Sequence, residues 1–169
     1  MAQKFLRMLA GVIAELEGLV TSAGAGDAGK IPALDATGKL DTSLMPVGIG
    51  TDSKILVASE NLAAGDLVNV WTDTGVAKAR KADATVAGKE ANGFVLAAVT
   101  LGQNATVYFD GTDTQLSGLT PGAVYYLAAT AGGVTTTPPS GSGNVVQRVG
   151  RAVSATELTF EPGEPITLA

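Results

Sequence analysis

From about Ser53 to Glu161 the chain is interrupted, at intervals of roughly 8 to 15 residues, by turn signals. They include Asp73-Thr74-Gly75, Asp110-Gly111, Thr120-Pro121-Gly122 and Ala131-Gly132-Gly133. Segments this short hold a strand but not a stable helix, and no 3.6-residue apolar period runs through them. The rhythm predicts a mainly β fold, a small barrel or sandwich. The expected strands are Lys54–Ala58, Asp66–Trp71, Val76–Lys81, Ala91–Ala98, Ala105–Phe109, Ala123–Ala128, Val134–Thr136, Val145–Val153 and Leu158–Glu161. Several alternate in character: Val76, Lys78 and Arg80 fall on one face, Ala77 and Ala79 on the other. No repeat of fixed length stands out.

Composition narrows the chemistry. The 169 residues contain no cysteine and no histidine. Disulfides, thiolate metal sites and thiol nucleophiles are therefore impossible, and the commonest general base is missing. Eleven basic against sixteen acidic residues give a net charge of −5, a poor basis for gripping a phosphate backbone. Apolar residues make up 46% of the chain, enough for a core, but only 5% are aromatic. Small side chains must do most of the packing.

The first fifty residues read differently. Phe5, Leu9, Val12, Leu16 and Leu19 are spaced like a heptad seam, and Leu6, Ile13 and Val20 form a flanking column. Glu15 and Glu17 interrupt the apolar run, and no charge-free run of about 18 residues exists for a membrane-spanning helix. The spacing predicts an amphipathic helix over 1–22, too short to be stable alone and in need of a partner surface. An extended Gly/Ala-rich arm is expected over 23–52, with a turn at Asp35 to Gly38. Along it Ile31, Leu34, Leu40, Leu44 and Met45 are apolar pegs at irregular spacing, suited to lying on another surface. The β-barrel-like head would occupy 53–169.

Candidate chemistry is sparse. Gly24-Ala25-Gly26-Asp27-Ala28-Gly29 has the letters of a dinucleotide loop, but the strand before it and the helix after it are both lacking, so a hinge is expected. Asp110-Gly111-Thr112-Asp113 lacks the distal glutamate of a calcium loop and reads as a hairpin turn. Lys78, Arg80, Lys81 and Lys89 form the one basic cluster, on a solvated strand face. Asp66, Asp83, Asp110 and Asp113 are expected in turns or at strand ends, solvent-exposed and singly replaceable. Neither a catalytic set nor a metal or cofactor site is expected.

Ser59-Glu60-Asn61-Leu62-Ala63-Ala64-Gly65-Asp66-Leu67-Val68-Asn69-Val70 begins a resemblance that Lys81–Thr85, Gly93–Val95, Gly118–Leu127 and Val146–Ala152 continue. Together these segments resemble the β-domain of tailed-bacteriophage capsid cement (head decoration) proteins and related head-fibre and tail-fibre modules. The stretch Lys30 to Pro46 is similar to the K-I-P-x-L-D-x-x-G-K-L-D-x-S-x-x-P connectors of phage fibre and virion proteins. The resemblance implies a non-enzymatic, homotrimeric virion protein on the outer surface of the phage head. It would be made in the host bacterial cytoplasm, bridge major capsid protein subunits, and bind neither nucleic acid nor membrane. Phe5, Leu9, Val12, Ile13, Leu16 and Leu19, with the five pegs of the arm, are the expected contacts to capsid or trimer mates. A head-fibre or tail-fibre adaptor, or a carbohydrate-binding module using Trp71, are the alternatives.

Overall fold

The computed structural model describes residues 4–45 and 52–169, save the Leu9 side chain. The end of the expected arm, 46–51, lies outside the described residues, as do 1–3. The chain divides into two units, 1–50 and 51–169.

The first unit overturns the expected helix. Strands β1 (Lys4–Leu9) and β2 (Val12–Glu17) form an antiparallel hairpin. Its register pairs Phe5 with Leu16 and Leu9 with Val12, symmetrically about the turn. That mirror symmetry gives the seam its heptad-like spacing. Positions 5, 9, 12 and 16 show helical spacing, and folding at residues 10 and 11 returns them to one face of a ribbon. The turn decides between the two structures. Ala10 and Gly11 both take positive φ, 49° and 84°, the left-handed pair of a two-residue hairpin loop. A glycine in a helix interior costs about 1 kcal/mol, and Val12 and Ile13 are β-branched, so local preference also runs against the helix.

After the hairpin the chain doubles back. Leu19 donates its N–H to Ile31 O at 2.8 Å and accepts from Ala33 N–H at 2.9 Å. Two 3-10 turns, Ala25–Asp27 and Thr42–Leu44, flank the expected turn at Asp35 to Gly38.

The second unit is mainly β, as its turn rhythm predicts, and contains a closed five-stranded barrel. Strands β3 (Ser53–Ala58), β4 (Leu67–Asp73), β5 (Val76–Lys81), β6 (Gly93–Phe94) and β7 (Asn104–Tyr108) close in the order β3-β5-β4-β6-β7. β3 and β5 run parallel; the other pairs are antiparallel. A second sheet has the order β10-β9-β12-β13-β8. Its strands are β8 (Gly111–Asp113), β9 (Val124–Leu127), β10 (Val134–Thr135), β12 (Arg148–Ala152) and β13 (Leu158–Phe160). β11 (Val145–Val146) pairs with β14 (Ile166–Thr167).

Two apolar clusters hold this unit together. Leu56, Ala58, Val68, Ala79, Ala105 and Val107 fill the barrel. Leu67 and Phe94 face the other way, packing with Leu127, Val149, Leu158 and Phe160 of the second sheet. β4 is therefore buried on both faces where it begins, which explains its unbroken Leu67-Val68 start. Buried Gln147 links the sheet to the 82–92 loop, because its amide exchanges two hydrogen bonds with the Ala91 backbone, at 2.8 and 3.0 Å.

Candidate assembly surface in the N-terminal unit

The two units differ sharply in what they bury. The second has two apolar clusters. Among the described residues of the first, Ala33 is the only buried hydrophobic residue. The hairpin leaves Leu6, Met8, Val12 and Ile13 between 68 and 75% exposed. Strand alternation and the register place Leu6, Met8 and Ile13 on one face with Lys4, Glu15 and Glu17. Phe5, Arg7, Val12, Ala14 and Leu16 share the other face. Phe5 and Leu19 are half-buried, and Leu16 is exposed. Leu9 pairs with Val12 in the backbone, but its side chain is outside the described atoms.

The arm is held in shape by short-range polar contacts. Asp27 accepts from Ala23 N–H at 2.6 Å and pairs with Lys30 at 2.6 Å. Asp35 accepts from the N–H groups of Thr37 and Lys39, and Asp41 from Ser43 N–H. These bonds hold all three carboxyls below their usual range: for Asp27 chiefly through Lys30, for Asp35 through Lys39 N–H, for Asp41 through Ser43. Ser43 Oγ also accepts from Ser22 N–H at 2.8 Å, fastening the arm's far end to its start. The expected hinge at Gly24 to Gly29 is thus a closed loop around Asp27. On this scaffold Ile31, Leu34 and Leu40 remain exposed, and Leu44 and Met45 are half-buried. A cleft of about 450 Å³ runs between hairpin and arm, walled by Leu16, Leu19 and Ile31, with Arg7, Glu17 and Lys30 on its lining.

The second unit has grooves of its own. A groove of about 290 Å³ lies between Leu96–Val99 and the outward residues of β7, and another of about 540 Å³ beside Ala128–Pro139. Among the described residues no three acidic side chains gather in a metal-sized group. The basic cluster is largely used internally. Lys78 pairs with Asp73 at 2.6 Å and Lys81 with Asp66 at 3.1 Å. Arg80 bonds Asn69 Oδ1 at 2.9 Å and Gly88 O at 2.7 Å. Its guanidinium lies 4.9 Å from the Trp71 ring centroid, while the indole N–H donates to Ser59 Oγ at 3.0 Å. One face and the polar edge of Trp71 are thereby taken, which leaves less of it for stacking on a sugar.

One expectation about the acids fails. Asp66, Asp83 and Asp110 lie in turns or loops and Asp113 ends β8, but of the four only Asp110 is exposed: Asp66 and Asp83 are half-buried and Asp113 is fully buried. Sequence reasoning had no signal for this, because β8 is only three residues long and reads as a loop.

Comparison with protein-family models and with curated proteins finds no match for this chain.

Proposed function

We propose that the chain is a structural virion protein: a capsid cement protein that decorates the outside of a tailed-phage head and bridges neighbouring major capsid subunits. The N-terminal unit carries this reading. It has defined backbone structure, keeps its apolar side chains at the surface, and precedes in sequence a β unit that has its own core. A segment with so little internal burial gains most by lying on another protein. A shell presents many identical sites, so modest contact per copy is multiplied when copies are linked. The second unit supplies a folded β head that needs no disulfide, which suits assembly in a reducing cytoplasm. The resemblance of Lys30 to Pro46 to virion connectors supports the same reading.

The test is Leu34→Asp in the full chain, added to undecorated heads. Bound copies per head should fall to background while the near-ultraviolet signal of Trp71 stays unchanged. Undiminished occupancy would refute the anchoring role of the arm.

A further inference from the structure

Among the described residues, both outer edges of the first unit's hairpin are unpaired. Among the described residues, no backbone group of Lys4–Glu17 bonds outside the hairpin's own ladder. Its charges are sorted by strand: β1 carries Lys4 and Arg7 and no acid, β2 carries Glu15 and Glu17 and no base. Inside one hairpin only Lys4 and Glu15 pair, at 2.9 Å. Arg7 and Glu17 have no ion-pair partner among the described residues. Both faces expose apolar side chains, so stacking on one face alone would leave the other uncovered.

We propose that a second copy of this chain completes the unit, by edge-to-edge pairing of β1 with β2 of the next copy. The basic strand then meets an acidic one in every junction, whereas β1 against β1 would set like charges side by side. Antiparallel pairing in the hairpin's own register places Lys4 beside Glu17 of the neighbour and Met8 beside its Ile13. The apolar faces also become continuous from copy to copy. The contact is heterologous, head to tail, so a discrete assembly requires a closed ring. Closure also removes the free edges that would otherwise invite unlimited pairing. This inference deepens the multivalent reading above and rests on it for its purpose, and self-association is read separately from head binding.

The natural chain has no cysteine, so single cysteines report neighbours cleanly. Full-length Met8→Cys and Ile13→Cys proteins are mixed, oxidised and resolved by mass, alongside sedimentation of the natural chain and of Ile13→Asp. The natural chain should sediment at one discrete multiple of 16.9 kDa. Ile13→Asp should weaken association about tenfold or more with the Trp71 signal intact. The mixed 8–13 disulfide should dominate over the 8–8 and 13–13 species. A monomer at all concentrations, an Ile13→Asp protein that associates normally, or a dominant 8–8 disulfide or none would each overturn the proposal. A monomer that still saturates undecorated heads removes this inference and leaves shell binding standing. An assembly that forms as described but does not bind heads does the reverse.

Discussion

Asp113 ends β8 with no exposed surface. Its Oδ1 accepts from Gln115 N–H at 3.0 Å, while Oδ2 has no hydrogen-bond partner among the described residues. Burial pushes its carboxyl above the usual value, the Gln115 N–H opposes this, and the nearby Asp66 charge adds to the rise. A carboxyl whose folded pKa exceeds its unfolded one contributes stability that is full below the unfolded value and lost as pH rises through the folded value. Asp113→Asn should therefore stabilise the β unit at pH 7, by about 1.4 kcal/mol for each tenfold by which burial weakens the acid. The gain should shrink toward zero or reverse below about pH 4. Urea unfolding followed by Trp71 fluorescence across that range checks this. A gain independent of pH would contradict it.

The elements show where sequence patterns mislead and where they hold. Two hairpins share one turn geometry: Ala10-Gly11 joins β1 to β2, and Thr74-Gly75 joins β4 to β5, each with a non-glycine residue near φ 49°. Asp73-Thr74-Gly75 announces itself as a turn, whereas Ala10-Gly11 does not, because alanine is a good helix former. The hairpin's mirror symmetry then completed the resemblance to a heptad. Asparagine tolerates the left-handed region better than alanine, so Ala10→Asn should slow amide exchange across Lys4–Glu17 by up to about fivefold. Faster exchange would mean that the turn does not limit the hairpin.

The barrel strands were legible because alternation and turn spacing agree there. The expected strand at Ala91–Ala98 shrinks to Gly93–Phe94 for a reason no pattern carries. A Cβ on Gly93 would overlap the Tyr108 carbonyl oxygen and press on Val107 Cγ1, so this seam closes by backbone approach. Gly93→Ala should destabilise the β unit by about 1–3 kcal/mol in thermal or urea unfolding. The run Val145–Val153 splits in two because Gln147 turns inward to Ala91, and the β12–β9 register shifts between Arg148 and Gly150. β8 and β14 are two or three residues long and left no alternation to read. The sequence marks Ile31, Leu34 and Leu40 as apolar residues at irregular spacing, and all three are exposed. The Ser22–Ser43 and Leu19–Ile31 bonds that fold the arm back could not, since they join residues with no shared pattern.

At the scale of the whole molecule the proposed function divides two jobs: the β unit supplies a stable body, and the N-terminal unit supplies the contacts. The measurement that tests this most directly adds full-length chain and a chain lacking residues 1–46 to undecorated heads. Bound copies per head and the temperature of DNA release are then read together. Two apolar clusters of its own should keep the truncated protein soluble and folded, with the Trp71 signal unchanged. The account predicts that the full chain saturates the heads and raises the release temperature, while the truncated chain binds at background and protects nothing. Equal binding and protection by the truncated chain would place the contacts in the β unit and contradict the account.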